Sequence, residues 1–143
     1  MPATFHEQEV SSRLKQKRKL AAFLDALIAK HLPEAKKTKL TYIFCTDEAL
    51  LAMNQQFLDH DTLTDIITFD LSENEQELTG EIYISIERVA ENAGKFNTTY
   101  DRELHRVIFH GALHLCGFKD KTKKDAAQMR AGEDACLEAW YQQ

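Results

Sequence analysis

A chain of 143 residues with a net charge of -5 has room for one domain with its own core and little beyond it. No stretch approaches the roughly 20 apolar residues that a membrane-spanning helix needs, and the polar opening 1–10 lacks the apolar centre of a signal peptide. The acidic balance speaks against wholesale binding of nucleic acid, although net charge does not exclude a local basic patch.

Residues 4–6 read as a short first strand. Over 13–30, Leu14, Leu20, Phe23, Leu24, Leu27 and Ile28 recur at helical spacing, and Pro33 closes that region. Residues 39–45 hold Tyr42, Ile43 and Phe44 and predict a strand. Asp47 is placed to cap a helix over 48–58 that buries Leu50, Leu51, Met53 and Phe57. The run Ile66, Ile67, Thr68, Phe69 predicts a strand over 65–71, followed by an acidic turn over 72–79. Ile82, Ile84 and Ile86 alternate along a strand over 80–86. Helices follow over 87–95, 100–115 and 125–141, the last with Met129, Cys136, Leu137 and Trp140. The order (β)αβαββααα predicts a single α+β domain, 1–143, whose small mixed sheet of about four strands is covered by helices.

Side-chain chemistry is unevenly spread. The three cysteines, Cys45, Cys116 and Cys136, are odd in number and lack paired spacing, which suits reduced thiols in a cytoplasmic protein. Basic residues gather in three groups. Arg13, Lys15, Lys17, Arg18 and Lys19 form the first; Lys36, Lys37 and Lys39 the second; Lys119, Lys121, Lys123 and Lys124 the third. Each fits a solvated face, and only the third flanks the segment that carries the chemistry.

That segment is 110–120. His110 and His114 are four residues apart, which puts both imidazoles on one helix face, one turn apart. Gly117 can end the helix in a left-handed cap, letting the chain double back and bring Asp120 to the same ion. Phe109, Leu113 and Leu115 read as core, and Cys116 as packing, since two residues from His114 it points elsewhere. A histidine pair alone is common in structural helices; the glycine and the oxygen donor at these offsets favour a metal site. Three protein ligands are what a catalytic zinc uses while keeping a position open for water. The expectation is one zinc per chain, on a late helix and the loop after it. The motif itself specifies no catalytic group beyond water on that ion.

These residues resemble the YbeY family, metal-dependent endoribonuclease-like factors of bacterial rRNA maturation. The family run is His-Gly-x-Leu-His-Leu-x-Gly-Tyr/Phe-Asp-His, matched here by His110, Gly111, Leu113, His114, Leu115, Gly117 and Phe118. A second family segment reads Leu-Asn-x-x-Tyr-Arg-x-x-Asp-x-x-Thr-Asp-Val-Leu-Ser-Phe. This chain has Met53, Asn54, Phe57, Leu58, Asp61, Thr64, Asp65, Ile66, Ile67, Thr68 and Phe69 there, and Gly80, Glu81 and Ile82 match a Gly-Asp-Ile strand start. Two departures stand out. Asp120 replaces the third ligand histidine, and Leu58 replaces an arginine. Aspartate is an ordinary zinc ligand, so the site survives with altered charge. Lys119, where the family usually has Asp, is the candidate substitute cation. The resemblance implies RNA as substrate, in rRNA processing and ribosome maturation, with Thr64, Asp65 and Lys119 as substrate contacts. It also implies ribosomal proteins or assembly factors as partners, and no membrane.

The motif also looks like the metzincin protease run, His-Glu-x-x-His-x-x-Gly-x-x-His/Asp. There the Glu after the first His is the general base. Here that position is Gly111, which neither takes nor gives a proton. Glu103 shares the face two turns back but lies about 10 Å away. Phosphodiester cleavage asks less of the side chains, so a metal-dependent endoribonuclease is the leading reading. The alternatives are a metallopeptidase, or a non-catalytic RNA-binding factor of ribosome assembly with a structural metal.

Overall fold

The computed structural model describes residues 3–58, apart from the side chain of Leu58, and residues 64–143. Asp61 of the second family segment lies outside the described residues, as does the side chain of Leu58. The elements are β1 (Ala3–Glu7), α1 (Lys17–His31), β2 (Lys37–Cys45), α2 (Asp47–Leu58), β3 (Ile66–Asp70), β4 (Glu77–Ser85), α3 (Ile86–Lys95), α4 (Tyr100–Leu115) and α5 (Lys123–Tyr141). The four strands form one mixed sheet in the order β1-β2-β4-β3. β1, β2 and β4 run parallel, and β3 pairs antiparallel with β4. The predicted α+β fold is the one observed.

Alternation within the strands decides which side is covered. Leu40, Tyr42 and Phe44 of β2 and Ile82 and Ile84 of β4 have no solvent exposure. They meet Leu20, Leu24 and Ile28 of α1 and Leu104, Ile108, Phe109 and Ala112 of α4 in one core. The Tyr42 hydroxyl donates to the Ile108 carbonyl at 2.8 Å, which supplies the partner a buried phenol needs. A smaller cluster of Cys45, Leu50 and Ile67 lies under α2.

α4 is the central element. It packs against α1, α3, α5 and the sheet, and its Leu104, Val107, Ile108, Phe109, Gly111, Ala112 and Leu113 are buried around the helix. Thr99 caps its start, accepting from the Arg102 N–H at 3.1 Å. At its end Gly117 takes φ 103°. The Phe118 N–H donates to the Leu113 carbonyl at 3.1 Å and the Gly117 N–H to the His114 carbonyl at 3.0 Å, the paired bonds of a Schellman cap. The left-handed turn expected at Gly117 is therefore present.

Several boundaries differ from the sequence expectation, each for a local reason. α1 begins at Lys17 rather than at residue 13, because Arg13 and Gln16 adopt left-handed backbone with φ 56° each. Asp47 does not cap α2. Its carboxylate accepts instead from the Ser85 hydroxyl at 2.6 Å and from Arg88 at 3.1 Å, while Thr46 Oγ1 accepts from the Ala49 N–H at 3.1 Å. Ile86 opens α3 instead of ending β4, and the Ser85 hydroxyl caps that helix. Of the residues predicted to be buried along α2, Leu50 is buried, Leu51 and Met53 are half-buried and Phe57 is exposed.

Gly111 marks where α4 touches the sheet. A Cβ there would stand 2.9 Å from Ile82 Cγ2 and 3.0 Å from Ile66 Cδ1. Ile82 is fully buried and β-branched, so it has little freedom to yield. Gly111→Ala should destabilise the fold by about 1–3 kcal/mol through overpacking, more than the roughly 1 kcal/mol alanine gains over glycine in a helix. Urea unfolding checks this: the midpoint should fall with an unchanged slope.

Candidate metal centre

The last two turns of α4 carry the predicted ligands. His110 and His114 lie one turn apart with rings almost parallel, 5° between planes and 6.4 Å between centroids. His110 is half-buried and His114 exposed. The Schellman turn sends residues 118–120 back along the helix. Asp120 Oδ2 thereby stands 3.4 Å from His110 Nε2. The reversal expected from Gly117 thus brings Asp120 to His110.

The other face of the His110 ring is fixed by a residue the sequence reading did not single out. His110 Nδ1 lies 2.7 Å from Glu133 Oε2 of α5. Glu133 is 2% exposed, and its second oxygen accepts from Arg106 Nη1 at 2.9 Å. Arg106 in turn forks onto buried Glu103, at 2.8 Å through Nε and 2.5 Å through Nη2. Asp65 lies 3.9 Å from the same guanidinium. The row Glu103, Arg106, Glu133, His110, Asp120 is thus continuous from the core to the surface.

Charge in this row is settled by pairing. Burial works to raise the pKa of Glu133, but hydrogen bonds from His110 and Arg106 outweigh it and hold the carboxyl below its ordinary value. The Arg106 guanidinium is driven up by its bonds to Glu103 and Glu133. An ionised Glu133 can only accept, so His110 Nδ1 donates to it. In the neutral ring this leaves the Nε2 lone pair facing Asp120. Two acceptors set face to face favour a cation or a proton between them. Two donors on a tetrahedral zinc, each about 2.1 Å from it, stand about 3.4 Å apart, and Nε2 and Oδ2 have that separation. A carboxylate behind the ring is the arrangement that orients metal-binding histidines generally. His110 and Asp120 thus fit as a pair of donors to a divalent ion; among the described residues no three His, Cys, Asp or Glu side chains are gathered closely enough to hold one.

The remaining candidates are placed as follows. Asp65 joins the network through Arg106, and burial raises its pKa against the pull of Arg106 and His110. The Thr64 hydroxyl turns back onto its own strand, donating to the Ile66 carbonyl at 3.4 Å. Lys119 is exposed, next to Asp120. Cys116 is a half-buried free thiol packed against the core, its pKa pushed up to about 12 by burial, which suits packing and not ligation. Glu133 was visible in principle. It shares a face with Met129, Cys136, Leu137 and Trp140, so a charged residue interrupts the apolar side of α5.

Removing Arg106 leaves buried Glu103 without its pair and Glu133 with the hydrogen bond of His110 alone. Arg106→Met should cost about 3–5 kcal/mol at neutral pH, read from urea unfolding. In the wild type the depressed Glu133 pKa contributes stability above the ordinary value of 4.5 and loses it as pH falls through the folded value. The variant should show less of this acid sensitivity, because a buried carboxylate with fewer partners holds its charge less well.

Comparison with known proteins identifies the family. The family model described as endoribonuclease YbeY matches residues 4–141. The endoribonuclease YbeY of Cytophaga hutchinsonii is 47% identical over 133 residues, covering 93% of this chain and 92% of the relative. That of Bacteroides fragilis is 41% identical over 137 residues, covering 96% of each. The solution structure of TM1509 from Thermotoga maritima superposes with a TM-score of 0.61 at 28% identity, covering 98% of this chain and 92% of that one. The chain belongs to the endoribonuclease YbeY family.

Proposed function

We propose that this protein is a metal-dependent endoribonuclease that cuts single-stranded RNA in rRNA processing and ribosome maturation. The observation that carries the reading is His110, held by Glu133 on one side and facing Asp120 on the other. His110, Asp120 and, by a turn of its exposed side chain, His114 would hold one zinc. An ion there supplies Lewis acidity toward a water and a phosphodiester.

The chain's own groups bind and orient. Glu133 fixes the His110 ring through Nδ1, and Arg106 fixes Glu133. Lys119, beside Asp120, offers a positive charge to a phosphate. Asp65 and Thr64, at the start of β3, would meet the sugar or base. The ribosome and its assembly factors are the partners this role calls for. No helix among the described residues is long and apolar enough to cross a membrane, and the free thiols suit a cytoplasmic place of work.

A metallopeptidase is disfavoured on packing as well as chemistry. The protease glutamate would stand at position 111, where the contacts with Ile82 and Ile66 leave no room for a side chain. A purely structural metal is disfavoured because such sites close with four protein ligands, and the candidates here number three at most.

The test is direct. Protein purified without chelator should carry stoichiometric zinc, and His110→Ala should reduce it to background. Zinc-loaded wild type should cleave single-stranded RNA and leave casein peptides intact, and Asp120→Ala should abolish cleavage. Glu133→Gln should weaken zinc affinity by about 10–100-fold. Peptide cleavage that depends on His110 would overturn the reading in favour of a protease. RNA cleavage that survives the loss of His114 and Asp120 would separate the activity from this site.

A further inference from the structure

The row that holds His110 is short of positive charge. Four carboxylates belong to it, Asp65, Glu103, Glu133 and Asp120, and one guanidinium, Arg106, answers them. Arg106 is itself committed: its nitrogens bond Glu103 and Glu133, and 15% of its side chain is exposed. With the four carboxylates ionised and both imidazoles neutral, Arg106 and a divalent ion together would leave the row about one charge negative. An RNA phosphate is an anion, so a site that admits it needs a further cation within reach.

α5 carries such a cation. The helix runs back along α4: Tyr141 meets His105 through a 2.7 Å hydrogen bond, and a Cβ on Gly132 would stand 3.0 Å from Leu113 Cδ1. Moving toward the start of α5 therefore moves toward the end of α4. Arg130 precedes Glu133 by three residues, about 4.5 Å along the axis. That step carries it from the level of His110 toward the level of His114 and the loop of Asp120.

Residues three apart share a helix face, and the Arg130 side chain stays on it. Its Nε lies 4.0 Å from Glu133 Oε1, the oxygen that Arg106 also meets, so the guanidinium is held on the side of α5 that faces the His110 row. At that length the contact is an ion pair without a hydrogen bond. Its donors are therefore left for another partner, and 63% of the side chain is exposed to receive one. A guanidinium presents its donors as a planar fork that matches two phosphate oxygens, whereas the ammonium of Lys119 offers a point charge.

We propose that Arg130 is a phosphate-contacting residue of this site, its guanidinium taking two oxygens of the RNA phosphodiester brought to the metal centre. The choice of RNA rests on the nuclease reading. The contact with a phosphate does not.

The test is calorimetric titration of a 5′-mononucleotide, which has no internucleotide bond to cut, into zinc-loaded protein. Arg130→Gln should weaken its binding about tenfold, the loss of a hydrogen-bonded charge. Arg130→Lys should recover only part of that loss. Zinc affinity should be the same in wild type and both variants. On single-stranded RNA, Arg130→Gln should lower kcat/KM and flatten its log–log dependence on salt by about 0.7, one phosphate contact. Lys15→Gln, the same loss of charge in the segment before α1, should leave mononucleotide binding as it is. Mononucleotide affinity unchanged in Arg130→Gln would overturn the proposal even where wild type cleaves RNA. So would an equal loss in Lys15→Gln, which would trace the effect to net charge. A fall in zinc affinity that accompanies the Arg130→Gln loss would overturn it too, by making Arg130 a support for Glu133. Weakened mononucleotide binding by Arg130→Gln, in a protein whose wild type cleaves no RNA, would sink the nuclease reading and leave the phosphate contact standing.

Discussion

Glu133 is a carboxylate with almost no access to water, and the candidate site is organised by the need to keep it paired. A buried charge is tolerated only with partners on its lone pairs. One oxygen is answered by Arg106 and the other by His110. Arg106 is then committed to Glu103 on its far side, which anchors the row in the core. The consequence for chemistry is orientation. A histidine on a helix surface ordinarily samples several rotamers and both tautomers. Here the acceptor behind the ring fixes the proton on Nδ1 and directs Nε2 outward. The stability term and the functional term are the same hydrogen bond.

That row requires α4 and α5 to pack at a fixed spacing, and the apolar packing supplies it. α4 is enclosed by three helices and the sheet, and its Glu103 and Arg106 are buried or half-buried where it meets α5 and the start of β3. Gly111 brings the helix axis close to Ile82 and Ile66. The same contact explains why the first histidine is followed by glycine. The residue that a protease would use as a base points, in this fold, into the sheet. The difference from the protease motif is thus one of packing as much as of sequence.

The departures from the sequence expectation are each local. Asp47 has the identity and position of a cap, and a tertiary partner, Arg88 of α3, claims its carboxylate. Arg13 and Leu14 fit the helical period, yet the backbone at Arg13 and Gln16 turns left-handed and α1 starts late. Phe57 continues the apolar stripe of α2, but what it meets is the edge of Phe69 at 6.1 Å on a partly open sheet face. For Asp47 the local preference was real, and a contact distant in sequence overrode it.

The sequence by itself determined the element order, the helix over 100–115, the left-handed end at Gly117 and the three candidate ligands. These rest on periodicity, glycine conformation and spacing, which act within a few residues. The family followed from the same short segments. Only the tertiary structure decided that Glu133 stands behind the ring and that Arg106 joins Glu133 and Asp65. Those contacts link residues 23 to 41 positions apart across separate elements. Their pairing depends on how α4, α5 and β3 pack, and side-chain identity alone does not encode that distance. Glu133 shows the limit most plainly. Its place on an apolar helix face signals a buried charge, but which cation and which ring would meet it was settled by the fold.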